Sequence, residues 1–195
     1  ISGNTRTQDE VIRREIGISE GGLYSRSILK KSLQSLRRLG YFSDVQIATS
    51  EVEGMSDKID IDFHVEETQT GAVSFSMSHS NNYGIAFGAG VQEKNIFGSG
   101  NTLNADLKIS KSFNKVSFYF MNPNFNDEGH SVSIGAFKSE IDNDEVAVNS
   151  FEIDSTGVSF GYGLPLSDNT RINGDIVYSK NEVKCSTLFS GSRYE

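Results

Sequence analysis

Residues 59–80, IDIDFHVEETQTGAVSFSMSHS, hold two strand patterns that meet across a short polar joint. In the first, Ile59, Ile61, Phe63 and Val65 alternate with Asp60, Asp62, His64 and Glu66. That is the period of two of a strand with one buried and one wet face. After Thr68, Gln69 and Thr70 the alternation resumes, with Val73, Phe75 and Met77 against Ser74, Ser76 and Ser78. The polar side has changed from charged to small and neutral, and that style persists to the end of the chain. The joint therefore divides a small α+β domain, residues 1–69, from a long antiparallel β region, residues 70–195.

At 195 residues the chain is long enough to bury a sizeable core. Its net charge of −8 disfavours nucleic acid as a partner. Mean hydropathy of −0.37 resembles that of a soluble protein. A membrane β-barrel, however, alternates lipid-facing and lumen-facing residues and has no long apolar run to raise that average. Cys185 is the single cysteine, so no internal disulfide forms. Ile1 reads as the interior of an element, and the chain is expected to be a piece of a longer protein.

In the first domain, Thr7-Gln8-Asp9-Glu10 has the form of a capping box, opening a helix of about ten residues with Val11, Ile12 and Ile16 on its apolar stripe. Glu20-Gly21-Gly22 breaks it. A second helix is predicted from about Ser25 to Leu39, with Leu29, Leu33 and Leu36 on one face and Gly40 at its left-handed cap. Strands follow over 41–49 and 59–66, with a turn at Gly54 between them. A strand just ahead of Ile1 would complete a small sheet carrying both helices on one face.

In the second region, alternating runs are predicted over 71–80, 85–93, 102–111, 116–121, 130–138, 151–164 and 170–180. About seven strands of roughly 8 to 12 residues match the length a tilted strand needs to cross a bilayer. Tight turns at 97–100, 122–126 and 165–169 alternate with more acidic connections, such as that over 140–145, as in outer-membrane barrels. A soluble β-sandwich fits seven alternating strands as well. The Ser, Asn and Gly of the polar face suit a barrel lumen better than a fully wet surface.

Motifs for catalysis are missing: no nucleophile elbow, P-loop, HExxH or CxxC occurs. His64, His79 and His130 lack ligand spacing, and Asp142, Asp144 and Glu145 lack the glycine and distal glutamate of an EF-hand. Gly88-Ala89-Gly90 and Gly98-Ser99-Gly100 suit close strand contacts and turns rather than dinucleotide binding. Arg26, Lys30, Lys31, Arg37 and Arg38 on the second helix read as a solvated face, with a lipid-headgroup site as the alternative. No enzyme, metal or cofactor is expected.

ISGNTRTQDEVIRREI at 1–16, EGG at 20–22, LKKSLQSLRRLGYFSDVQI at 29–47 and DKIDIDFHVEE at 57–67 together resemble a POTRA domain. The likeness is to the barrel-proximal POTRA domain of the BamA family of outer-membrane protein assembly factors. It continues through GVQEKNIFGSGN at 90–101 and Asn122-Pro123-Asn124-Phe125. It implies a β-α-α-β-β POTRA domain with its first strand missing, followed by an antiparallel transmembrane β-barrel fragment. It also implies a Gram-negative outer-membrane location, with the POTRA domain in the periplasm.

The first barrel strand, Gly71, Ala72, Val73, Ser74, Phe75, Ser76, Met77 and Ser78, would then lie at a seam that opens sideways and pairs with a client's C-terminal strand. A plain wall strand is the alternative. Tyr41, Phe42, Val45 and Ile47 would belong to a POTRA edge strand able to accept an extended peptide, or to an idle edge guarded by Asp44. Glu20 matches a family position that contacts the accessory lipoprotein BamD, and also suits a plain turn. The implied partners are unfolded outer-membrane proteins, BamD-like lipoproteins and outer-membrane lipids. The alternatives are a two-partner secretion transporter of the same POTRA-barrel plan and a structural outer-membrane barrel.

Overall fold

The computed structural model of the chain describes residues 1–80, 84–126, 128–142, 150–167 and 170–186. These fall into two compact units, one of Ile1–Ala72 with Glu93–Asn101, the other of Val73–Gln92 with Thr102–Glu195.

The first unit carries helices α1 (Asp9–Arg13) and α2 (Arg26–Leu39) and strands β1 (Phe42–Val52) and β2 (Met55–Glu67). Helix α2 runs as its leucine spacing predicts, from an N-cap at Ser25 to Gly40, which takes φ 70°. A side chain would resist that conformation; glycine does not. Leu29 and Leu36 from α2, Val11 and Ile12 from α1, and Tyr41, Phe42, Val45, Phe63 and Val65 from the strands form one core. The β1–β2 hairpin is longer than expected, closing at Gly54 with φ 79°. Burial fades along it: Phe63 and Val65 are covered, Ile61 partly so, and Ile59 is exposed. Ser2 bridges His64 in parallel, with Ser2 N–H donating to Phe63 O and Val65 N–H to Ser2 O, both at 2.9 Å.

The capping box does not form. Gln8, not Thr7, is the N-cap, and no side chain caps α1. Thr7 is committed elsewhere: its amide donates to Glu67 and its hydroxyl accepts from Asn95. Helix α1 is also shorter than predicted. Its end tightens into i→i−3 bonds, Glu15 N–H to Ile12 O and Ile16 N–H to Arg13 O, just before Gly17.

The remaining strands, most of whose residues lie in the second unit, are β3 (Gly71–Ser80), β4 (Gly84–Ile96), β5 (Asn101–Ser110), β6 (Phe113–Asn122), β7 (Ser131–Asp142), β8 (Ser150–Ser167) and β9 (Thr170–Ser186). They pair in chain order as one seven-stranded sheet. That excludes two sheets stacked face to face among the described residues. Nor do β3 and β9 pair, so the sheet is open. Strand β8 runs through Pro165 and Leu166 with a register shift before Ser167, so the third turn begins later than expected. The expected turn at Asn81-Asn82, the end of the third turn at 168–169 and most of the acidic connection after Asp142 lie outside the described residues.

Candidate functional site: a free strand edge beside an apolar wall

The register places like with like across the sheet. One row runs Leu103, Phe120, Ile134, Phe160, Ile176, and the next runs Ala105, Phe118, Ala136, Val158, Tyr178. On the opposite face, Asp106, Ser117, Phe137, Gly157 and Ser179 form a row, and Thr102, Met121, Ser133, Gly161 and Asp175 another. The apolar face stands uncovered: Phe75 is 83% exposed, Met77 73% and Ile176 74%. An open apolar surface spanning a sheet is not tolerated in water on a monomer, but it is what a bilayer covers. Two residues further along the same strands, this face turns charged, with the row Lys138, Thr156, Lys180 and then Glu140, Asp154, Glu182. On β8 the outward residues Val158, Phe160, Tyr162, Leu164 and Leu166 span about 26 Å along the strand. At barrel tilt that is about 20 Å of membrane depth.

The polar face is lined by small residues that admit neighbouring hydroxyls. The Ser76 hydroxyl sits beside Gly88, Ser74 beside Gly90, and Ser133 and Asp175 beside Gly161. Phe137 lies over Gly157, where a Cβ would strike its ring.

Strand β3 has one neighbour, β4, and its other edge has no partner among the described residues. Ser76 faces Gly88 and Ser74 faces Gly90, while Lys94 N–H donates to Thr70 O at 3.4 Å. The residue numbers of each pair share one sum, so the register is constant along the ladder. In an antiparallel pair the directly bonded positions alternate. Ala72, Ser74, Ser76, Ser78 and Ser80 therefore spend their N–H and C=O on β4. Gly71, Val73, Phe75, Met77 and His79 point theirs at the open edge. The side chains of Val73, Phe75 and Met77 lie on the apolar face, where Phe75, Met77, Phe87, Ala89, Leu107 and Ile109 line a groove.

Strand β1 is the free edge of the first unit, but its expected contact residues face inward. Tyr41, Phe42 and Val45 are core, and Ile47 packs against it. Only main chain remains to offer a peptide, and part of it is taken. Val45 N–H donates to Asp44 Oδ1 at 2.8 Å, and Arg37 donates to Val45 O at 3.2 Å. Hydrogen bonds from Gln46 and from Val45 N–H hold the Asp44 carboxyl below its usual range.

Glu20 lies between α1 and α2 and is largely exposed, paired with Arg13 at 3.0 Å. Leu23, 94% exposed, and Tyr24 stand nearby in sequence. The three histidines are dispersed. His64 contacts Ser2, His130 sits between Tyr162 and Glu128, and His79 is exposed on β3. No cluster able to hold a metal occurs among the described residues. Of the acidic trio considered for calcium, Asp144 and Glu145 lie outside them.

One polar cluster had no sequence signal. The Glu67 carboxylate accepts the consecutive amides of Thr5 (3.0 Å), Arg6 (3.0 Å) and Thr7 (2.6 Å), and the Thr5 hydroxyl at 2.7 Å. Partial burial pushes this carboxyl up, yet these hydrogen bonds outweigh it and lower its pKa to about 2. Its members are 60 residues apart in the chain, so no local pattern announces them.

Two family models match the chain: the POTRA domain, described as a surface antigen variable number repeat, over residues 1–68, and the Omp85 superfamily domain over 95–187. The outer membrane protein assembly factor BamA of Neisseria meningitidis is 28% identical over 91% of the chain, which spans 22% of that relative's length. BamA of Buchnera aphidicola is 28% identical over 93% of the chain, which spans 30% of that relative. Among solved structures, BamA from Haemophilus ducreyi lacking POTRA domains 1–3 superposes with a TM-score of 0.77 at 24% identity, over 94% of this chain and 35% of that one. CdiB from Acinetobacter baumannii gives a TM-score of 0.59 at 12% identity, over 93% and 37%. At such identities these two speak for the fold alone. POTRA sequence thus stands before the joint and Omp85 superfamily sequence after it, and outer membrane protein assembly factors named BamA match the chain across both.

Proposed function

We propose that the protein carrying this chain inserts and assembles β-barrel proteins in the outer membrane, using the open edge of β3 as a template. The observation that carries the reading is that edge: the main-chain groups of Val73, Phe75, Met77 and His79, which face no neighbouring strand among the described residues, beside an apolar face. In hydrocarbon an unsatisfied backbone group costs several kcal/mol. A client strand that pairs with β3 as it enters avoids that cost. Catalysis of this kind needs no nucleophile or metal, only an edge that ordinary sheets conceal.

In this reading the seven strands are part of a larger closed barrel, with the Ser/Gly face toward its lumen, and residues 1–69 are a POTRA domain whose first strand pairs with β2 where Ser2 does. Domain boundaries at 69/70 follow from the same reading. The β1 edge is a secondary site at most, since Arg37 and Asp44 already occupy the Val45 main chain. Glu20 and the exposed Leu23 are a surface for an accessory lipoprotein of the BamD kind. Glu20→Lys there would repel Arg13 as well as the partner, and is expected to lower lipoprotein recovery in a pull-down without unfolding the domain.

The full protein in vesicles, presented with several unrelated unfolded barrel proteins, is expected to accelerate the insertion of all of them. Acceleration of one dedicated client would favour a two-partner exporter instead. Acceleration of none would leave a structural barrel.

A further inference from the structure

The turn between β4 and β5 is held by the POTRA unit through groups distant in sequence. Gln8 N–H donates to Gly98 O at 3.0 Å, and the Gln8 side chain reaches Phe97 O at 3.4 Å. Asn95 donates to the Thr7 hydroxyl at 2.9 Å and accepts Gly100 N–H at 2.7 Å, and Tyr41 OH donates to Gly100 O at 3.2 Å. Thr7, Tyr41 and Asn95 are all nearly fully buried. Fit is tight: a Cβ on Gly98 would run into the Arg6 carbonyl, and Phe97, no glycine, is held at φ 53° with its side chain in the open. A bulky residue keeps that backbone only where its surroundings impose it.

The receiving surface is itself shaped by one side chain. The 5–7 loop turns its three amides inward onto Glu67, and this arrangement leaves the Thr7 hydroxyl, the Arg6 carbonyl and Gln8 N–H toward the turn.

We infer that Glu67, Gln8 and Asn95 form a lock that pins the foot of β4 while β3 is being loaded. The functional half of this inference rests on the assembly reading. Among the described residues β4 is the one partner of β3, and the ladder between them is lined by Ser and Gly with little side-chain volume to set its register. A client zipping onto the other edge of β3 pulls on that ladder. Fixing β4 at its foot, where Lys94 bonds Thr70, makes the strand yield at the open edge rather than slip against its neighbour. Glu67 acts here through the loop it shapes, and is a positioning residue.

The test uses the full protein in vesicles. Gln8→Pro deletes the amide donor at a residue whose φ is already −67°, and Asn95→Ala deletes the side-chain bridge. Either change is expected to lower hydrogen-exchange protection at Gly100 and neighbouring turn amides by about tenfold. Protection in the β1–β2 hairpin stays, which separates unlocking from unfolding. Register is read with cysteine pairs: 75 with 89 reports the native ladder, 77 with 89 a slip of two residues. In the unlocked variants the slipped disulfide should appear only when client is present, and client insertion should fall several-fold. Lost protection with native register and undiminished insertion would overturn the lock, as would unchanged protection. A parent protein that inserts no client overturns the assembly reading, while the exchange data still decide whether the lock exists.

Discussion

Glu67 shows how one carboxylate organises a loop that a sequence reading assigns to something else. Thr7-Gln8-Asp9-Glu10 has the spacing of a capping box, but the Thr7 amide, hydroxyl and carbonyl are claimed by Glu67, Asn95 and Asn4. Local spacing could not reveal this, because the competing partners come from 60 and 88 residues away. Hydrogen bonds hold the Glu67 carboxyl at about 2 in the folded chain, well below its ordinary value of 4.5. Its stabilising contribution is therefore complete above about pH 4.5 and is lost as pH falls toward 2. Glu67→Gln should flatten that part of the pH–stability curve and lower exchange protection of the Thr5, Arg6 and Thr7 amides at pH 7. Core residues were legible, since Leu29, Leu33 and Leu36 recur at helical spacing and two of them are fully covered. Leu36→Ala should cost the POTRA unit about 2–5 kcal/mol, read by denaturant unfolding.

At the scale of elements, alternation located every strand of the sheet, because the period of two survives in each of them. It did not reveal which backbone groups β3 spends on β4. That parity depends on pairing register, which sequence patterning does not encode. The consequence is a sharp contrast between neighbouring positions. Phe75→Pro removes an N–H that faces the open edge, so β3 should stay paired with β4 while client capture is lost. Ser76→Pro removes a donor from the β3–β4 ladder and should detach the strand itself. Exchange protection on β4, measured beside client capture, separates the two. The POTRA edge was read correctly as a strand, yet naming Tyr41, Phe42 and Val45 said nothing of access. Their side chains are the core, and hydrophobicity alone does not say whether an apolar residue binds a guest or the rest of its own domain.

For the whole molecule, the deciding contrast is between the two faces of one sheet. Among the described residues no helix is long and apolar enough to cross a membrane, which says nothing of a chain that crosses with strands. A low mean hydropathy hid the apolar face, since outward residues such as Phe75, Phe87, Ile134 and Phe160 are each followed by an inward Ser or Gly. Ile134→Lys places a charge in the middle of the apolar rows and should cost about 2–4 kcal/mol in a bilayer. Ser117→Lys, opposite Asp106 on the other face, should cost less than about 1 kcal/mol. Folding titrations in vesicles compare them directly. On pattern alone, sequence chose between wall and sandwich by the chemistry of the polar face; among the described residues the unbroken strand order excludes stacked sheets. The claim on which the rest depends is that guests enter beside β3. Single cysteines at Val73, Phe75, Met77 and, within the sheet, at Phe118 can be offered to a client carrying a cysteine in its C-terminal strand as it inserts into vesicles. The account predicts disulfide adducts at the β3 positions and none at Phe118; a client that inserts fully with no adduct at β3, or with equal adducts at Phe118, contradicts it.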